Sequence, residues 1–379
     1  MPEPAFPIGA FHRIATATIM IRIASKQVSI ALAVLACLPL GSLANAEAIQ
    51  WVTVGDPGNA PDTIGAGYGA VATSYRIMRY EFTNQQYTNF LNAVDPQGTN
   101  PDSIYSGRMD SDPRGGITNT GSTDGNRYAV KPDMGNKPVN YVSWFDAARV
   151  SNWFQAGGGT YVTSVSGSAA INSGAYTLNG ATSGNAPWVN SNATFYVPAI
   201  DQWYKAAYYK GGGTAAGYWT YATQSNTAPT AVNATIVGSG TSGGVSPVTS
   251  GNYANYDYAA DWNSQDGNVT TVGTNGGPSA YGTFDMSGNV TEWNDPNGTT
   301  DPSRWVRGGR WNYSAISLYP TDGYPDDPSN EGDAIGFRLA SPVSDPSAVP
   351  EIDPNSLGSV LALVLGSLGL LEHRRLKAA

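Results

Sequence analysis

The sequence predicts an irregular fold of short strands, a few helices and long polar loops, and three observations carry that prediction. The 379-residue chain has 10 Trp and 22 Tyr but only 13 % charged residues, a density of rings suited to a fold stitched by aromatic contacts rather than by long helices. Helix start signals are few but well formed: Thr83-x-x-Gln86 and Ser143-x-x-Asp146 both place a hydroxyl at a cap position and a side-chain acceptor three residues on. Between the periodic segments run stretches rich in Gly, Ser, Thr, Asn and Asp, at residues 95–133, 157–194 and 210–250. With both termini set aside, roughly 300 residues remain for the body, enough for one large domain or two small ones.

Taken in order, the segment from Trp51 to Gly67 reads as an opening strand followed by a Gly/Pro/Asp loop. Tyr75 to Phe82 alternates as a strand does, and Thr83 then caps a helix reaching about Val94. Tyr87, Phe90, Leu91 and Val94 share one face of that helix and are expected in the core. Ser143 caps a second helix that runs to about Phe154. In the polar stretches, Tyr176, Trp188, Tyr218, Trp219 and Tyr221 argue for ordered loops over disorder. No fixed-period repeat is present.

The two ends read as addresses. A basic segment around Arg22 and Lys26, an apolar run from Val28 to Leu43 and the small residues Ala44-Asn45-Ala46 read as a secretory signal peptide over residues 1–46, with Met20 read as the start. Residues 47–345 form the body. The segment 346–379 carries Val349-Pro350-Glu351, an apolar run from Leu357 to Leu371 and a basic finish, His373-Arg374-Arg375-Leu376-Lys377. The run is about 15 residues, short of the roughly 20 that span a bilayer. It resembles a PEP-CTERM sorting signal, with Ile352 departing from the motif, and that resemblance implies handling by a membrane sorting machinery. A simple anchor with positive-inside residues is the alternative. Both place the body outside the cell, at the surface or secreted.

Composition removes several chemistries. The only cysteine is Cys37 and the only histidines are His12 and His373, all in the terminal segments. The body therefore offers no thiol or imidazole for a nucleophile, a Ser-His-Asp triad, a zinc site, a facial triad or a disulfide. A net charge of −9 argues against tracking a phosphate backbone, so nucleic acid is not expected as a partner. The acidic balance suits either calcium sites or a merely soluble surface.

Gly288-Asn289-Val290-Thr291-Glu292-Trp293, Arg307-Gly308-Gly309-Arg310-Trp311 and Gly336-Phe337-Arg338 follow one another in the C-terminal part of the body. Together with Pro138-Val139-Asn140-Tyr141-Val142-Ser143-Trp144 and Val197-Pro198-Ala199-Ile200-Asp201-Gln202-Trp203, these motifs resemble the formylglycine-generating enzyme (sulfatase-modifying factor) family. The resemblance implies an α+β fold, related to C-type lectin-like domains, with short twisted sheets, few helices and much irregular loop. It also implies a third helix after Pro198, with Ala199 where the family has a capping Thr. Losing that hydroxyl costs about 1 kcal/mol unless another group caps the end.

The family's activity needs two redox cysteines that hold copper, in the segment after the Gly-Gly pair. Here those positions are Tyr313 and Leu318, and neither side chain replaces a soft thiolate, so no copper is expected. The resemblance further implies two structural calcium sites. One uses Asp285, Gly288, Val290 and Glu292, the other Asn255, Tyr256, Asp266 and Asn268; the alternative for both is a turn whose carboxylates accept backbone N–H bonds. Arg338 is expected to pair bidentately with Glu292 or Glu81. Arg307, Gly308, Gly309 and Gly336 are read as structural, and Trp311 as core or as the wall of a groove. The leading functional expectation is an exported, non-catalytic module for a glycan or peptide ligand. The alternatives are an enzyme, of sulfatase-modifying type or using carboxylates among Asp285, Glu292, Asp322, Asp326 and Asp327, and a structural matrix component.

Overall fold

The computed structural model describes residues 49–64, 67–157, 168–233, 244–245, 248–296 and 303–343. The signal-peptide and sorting segments lie outside the described residues. Among the described residues, no helix is long and apolar enough to cross a membrane.

The first sheet joins the two ends of the domain. Strands β1 (Trp51–Val54) and β11 (Ala340–Pro342) flank β2 (Tyr75–Met78), both antiparallel to it. Two small ribbons follow: β3 (Ile117–Asn119) against β4 (Tyr128–Val130), antiparallel, and β5 (Thr230–Ala231) against β6 (Tyr253–Ala254), parallel. The sheet beneath the site has the order β10-β7-β8-β9, built from β7 (Thr291–Asn294), β8 (Arg304–Arg307), β9 (Gly323–Asp326) and β10 (Ile335–Gly336). Within it β10 and β7 run parallel, whereas β7–β8 and β8–β9 are antiparallel. All four residues of β7 are buried, so this strand is covered on both faces.

The three longer helices lie where the caps and the resemblance put them, while two one-turn helices fall in stretches read as loop. Helix α1 (Asn84–Val94) opens on Thr83, whose hydroxyl accepts from the Gln86 backbone while Gln86 Oε1 accepts from the Thr83 N–H. Tyr87, Phe90, Leu91 and Val94 are all buried. A helical turn, α2 (Arg108–Ser111), precedes α3 (Trp144–Ala156), where Ser143 and Asp146 repeat the reciprocal cap. After the short α4 (Ser168–Ile171) comes α5 (Ile200–Tyr208). Ala199 has no side chain to cap α5, but Gln202 Oε1 accepts its N–H at 3.1 Å, so half of the cap survives the loss of a hydroxyl. The predicted strand from Tyr75 to Phe82 is shorter than read, ending at Met78. Its last residues pair elsewhere: the Arg79 carbonyl accepts from the Phe284 N–H and the Phe82 N–H donates to Phe337, which steers the chain into the Thr83 cap.

The largest core cluster packs α1 and α3 against Trp293, Val306 and Phe337, and rings supply much of it. Phe82 stacks on Phe337 at 4.9 Å and meets Phe154 edge-on at 6.2 Å. These elements give a mixed α+β domain of short sheets, with helices packed against the strands that carry the Gly/Trp/Arg motifs.

Candidate functional site

Arg338 and Glu292 are the electrostatic centre of the domain, and both are fully buried. Arg338 Nε donates to Glu292 Oε2 and Nη2 to Oε1, each at 2.6 Å, giving the bidentate pair that a guanidinium and a carboxylate form best. The remaining donors reach the carbonyls of Met78, Arg79 and Phe284. Trp203 Nε1 adds a third bond to Glu292 Oε2, at 2.9 Å. One ion pair thus ties β2, α5, β7 and the Gly336-Phe337-Arg338 segment at the end of β10 together. Gly336 packs so closely that a Cβ there would lie 2.7 Å from the Val139 carbonyl oxygen.

Glu81, the other candidate partner, has a different role. Its carboxylate accepts from Asn289 Nδ2 at 2.7 Å and from the Val290 N–H at 3.2 Å. Burial pushes its carboxyl well above the usual range, and the neighbouring Asp285 and Glu292 push it further. Asn289 is the hub that the sequence did not flag. Besides holding Glu81, its Oδ1 accepts from Thr270 and Asn255, its N–H donates to the Asn255 carbonyl, and its own carbonyl accepts from Trp311.

The first calcium set does not fit a cation in this geometry. Glu292 gives both oxygens to Arg338, so its charge is already neutralised by a guanidinium. Asp285 Oδ1 accepts from Asn275 Nδ2 at 2.8 Å and Oδ2 accepts from the Gly273 N–H. Burial raises the Asp285 carboxyl above the usual range in spite of those bonds.

At the second set, the carbonyls of Asp266 and Gly267 are taken by the Arg114 guanidinium at 2.9 and 3.0 Å, and the Asn268 carbonyl by Asn255 Nδ2 at 2.9 Å. Asp266 itself is exposed, and Tyr256 spends its hydroxyl on the Pro229 carbonyl. Asn255 Oδ1 is a buried acceptor without a partner among the described residues, but together with the exposed Asp266 carboxylate it offers three oxygens, short of the six to eight that calcium takes. Guanidinium groups thus stand against both loops. Removing divalent cations with a chelator is expected to leave the thermal midpoint unchanged; a fall of several degrees, restored by calcium, would contradict this.

The segment after β8 forms a pocket. Arg307 is buried with Nη1 donating to the Pro320 carbonyl at 2.9 Å, and its guanidinium carbon lies 4.6 Å from the Tyr68 ring centroid. Gly308 accepts from the Gly288 N–H at 2.7 Å. Gly309 has φ +72°, and a Cβ there would lie 2.6 Å from Leu318 Cδ2, so the two glycines bring the loop against its neighbours. Trp311 is 2 % exposed and therefore core, held between the Arg114 guanidinium at 4.6 Å and an edge-on Tyr258 at 5.6 Å.

Tyr313 and Leu318 have parted ways. Leu318 is fully buried beside Tyr221, Ala254 and Tyr256, whereas Tyr313 is 51 % exposed with the Arg310 guanidinium 4.1 Å above its ring. Together with Arg307, Gly309, Arg310, Asp322 and Tyr324, Tyr313 lines a cavity of about 320 Å³. Arg310 and Tyr324 had no role assigned from sequence, although Arg310 sits inside the Arg-Gly-Gly-Arg-Trp motif. Among the carboxylates considered for acid–base work, only Asp322 reaches this cavity. Asp326, the last residue of β9, and Asp327, just after it, accept from Asp327, Ser329 and Asn330.

This fold and these motifs define a domain of the sulfatase-modifying class. The family described as Sulfatase-modifying factor enzyme 1-like domain matches residues 54–343, and the chain belongs to it. Among solved structures, the chain is similar to Treponema denticola variable protein 1, with 19 % identity, 78 % of this chain and 95 % of that one covered, and a TM-score of 0.44. It is similar to CarF, with 22 % identity, 78 % and 99 % covered, and a TM-score of 0.45. It is also similar to PvdO from Pseudomonas aeruginosa, with 16 % identity, 78 % and 92 % covered, and a TM-score of 0.38. No curated protein matches the chain significantly.

Proposed function

We propose that this chain is an exported, non-catalytic member of the sulfatase-modifying factor family that binds a glycan or peptide ligand in the pocket beside Tyr313. The observation that carries the reading is the fate of the two positions where active members place thiolates. Leu318 is enclosed in the core and has no donor atom, and Tyr313 turns its ring outward under Arg310. A copper ion would find no soft ligand there. What remains is a concave site with aromatic, cationic and acidic groups around its rim, a composition suited to recognition on a loop-rich scaffold. Export follows from the N-terminal signal peptide and the C-terminal sorting segment read in the sequence, with the membrane sorting machinery as the partner of the latter.

The reading is tested by titrating the full chain against panels of glycans and peptides. Saturable binding is expected, and it should weaken in Tyr313→Ala and Tyr324→Ala while the melting temperature holds. Tyr313 and Tyr324 are both exposed, so neither change should cost much stability. Binding that is indifferent to both substitutions would remove this pocket from the account.

A further inference from the structure

We infer that the ligand of this pocket is an acidic sugar, a hexuronate unit of a polysaccharide whose carboxylate is received by Arg310 and whose ring lies against the exposed tyrosines. The inference rests on the ligand-binding reading of the pocket and narrows it. Its first support is charge. The chain carries a net −9, yet the cavity is lined by two guanidinium groups, Arg307 and Arg310, and a single carboxylate, Asp322. Arg310 donates its guanidinium to no acceptor among the described residues; its recorded contact is the face of Tyr313. Arg307 is tied by Nη1 to Pro320 and lies over the Tyr68 ring, so it adds its charge to the cavity wall and leaves Arg310 as the accessible guanidinium. An anion is the ligand that completes such a site, and a planar fork prefers a carboxylate or an ester oxyanion of similar shape.

The second support is the mixture of groups around those charges. Tyr313 is 51 % exposed and Tyr324 39 %, and both line the cavity. They offer flat apolar faces with polar tips, the surface against which the C–H face of a sugar ring packs. Asp322 accepts no side-chain hydrogen bond among the described residues and lies within electrostatic reach of both arginines, so its oxygens are free for sugar hydroxyls. A cavity of about 320 Å³ is at the small end for ligand clefts, the size of a sugar unit or two.

A peptide is the weaker candidate. The strand beside the cavity, β9, is the outer strand of its sheet, where an extended peptide would add by backbone pairing. Pro325 in the middle of β9 removes an N–H from that edge.

The test is a calorimetric titration of the full chain with four probes: an oligogalacturonate, its methyl ester, dextran sulfate, and a peptide rich in Asp and Glu. The oligogalacturonate is expected to bind saturably, and both methyl esterification and Arg310→Gln should weaken it by about tenfold or more. Arg310 is half-buried and donates no hydrogen bond among the described residues, so Arg310→Gln should melt like the parent. Equal affinity for the ester, or an undiminished Arg310→Gln, would overturn the acidic-sugar assignment while leaving a ligand pocket in place. Preference for dextran sulfate or for the acidic peptide would overturn it in favour of that anion. Absence of binding by any neutral or acidic glycan or peptide would overturn both the assignment and the reading beneath it.

Discussion

Arg338→Ala is expected to destabilise the domain by about 3–5 kcal/mol, the cost of breaking a buried ion pair by removing one partner. The expectation rests on what the substitution leaves behind. Glu292 is fully buried and, among the described residues, keeps only the Trp203 N–H once the two 2.6 Å bonds from Arg338 are gone. The Met78 and Phe284 carbonyls lose the Arg338 donor at the same stroke, and the Arg79 carbonyl is left with the Phe284 N–H. Glu81 and Asp285, whose carboxyls burial already raises, lose the nearby positive charge as well. The double change Arg338→Met with Glu292→Gln should cost less than Arg338→Ala alone, since no uncompensated charge remains. Urea denaturation measures both; a loss below about 1 kcal/mol for the single change, within the range of an exposed pair, would show that this pair is not the central tie.

Gly288→Ala is the second large effect, at about 3 kcal/mol. The residue has φ +86°, a backbone region that costs a side chain of order 1–3 kcal/mol. A Cβ would also sit 2.2 Å from the Asn255 carbonyl oxygen, the acceptor of the Asn289 N–H. Relief of that clash must move backbone, because no flexible side chain lies in the way, and overpacking of this kind costs a further 1–3 kcal/mol or so. Gly121 separates the two terms. Its φ is +75° and nothing lies within 4 Å of a Cβ there, so Gly121→Ala carries the conformational cost alone. Equal losses at the two positions would mean that crowding at Asn255 is not a constraint.

How far the sequence could be read depends on the range of the interaction. Helix starts at Thr83 and Ser143 were legible because a reciprocal cap is closed within four residues. The buried face of α1 was legible because periodicity alone defines it. Arg338 and Glu292 were legible as partners only through motif order, since they lie far apart in the chain. Arg114 was not legible at all. It crosses from the long polar loop to cover Trp311 and take the Asp266 and Gly267 carbonyls, and nothing local distinguishes it from a solvated arginine. The same holds for the convergence of Arg310, Tyr313, Asp322 and Tyr324, which depends on the β8–β9 pairing that brings Arg307 opposite Gly323. The early end of β2 escaped for a related reason: Arg79 and Phe82 have partners over two hundred residues away, at Phe284 and Phe337.

Loss of the redox pair is the claim on which the functional account turns, and mass spectrometry tests it most directly. The full chain is incubated with a cysteine-containing sulfatase-type peptide, copper, calcium, a thiol reductant and oxygen, beside an active family enzyme as control. The account predicts that the peptide stays unconverted with this chain and becomes formylglycine with the control. Formylglycine formed by this chain, with Tyr313 and Leu318 in place of the thiolates, would contradict it.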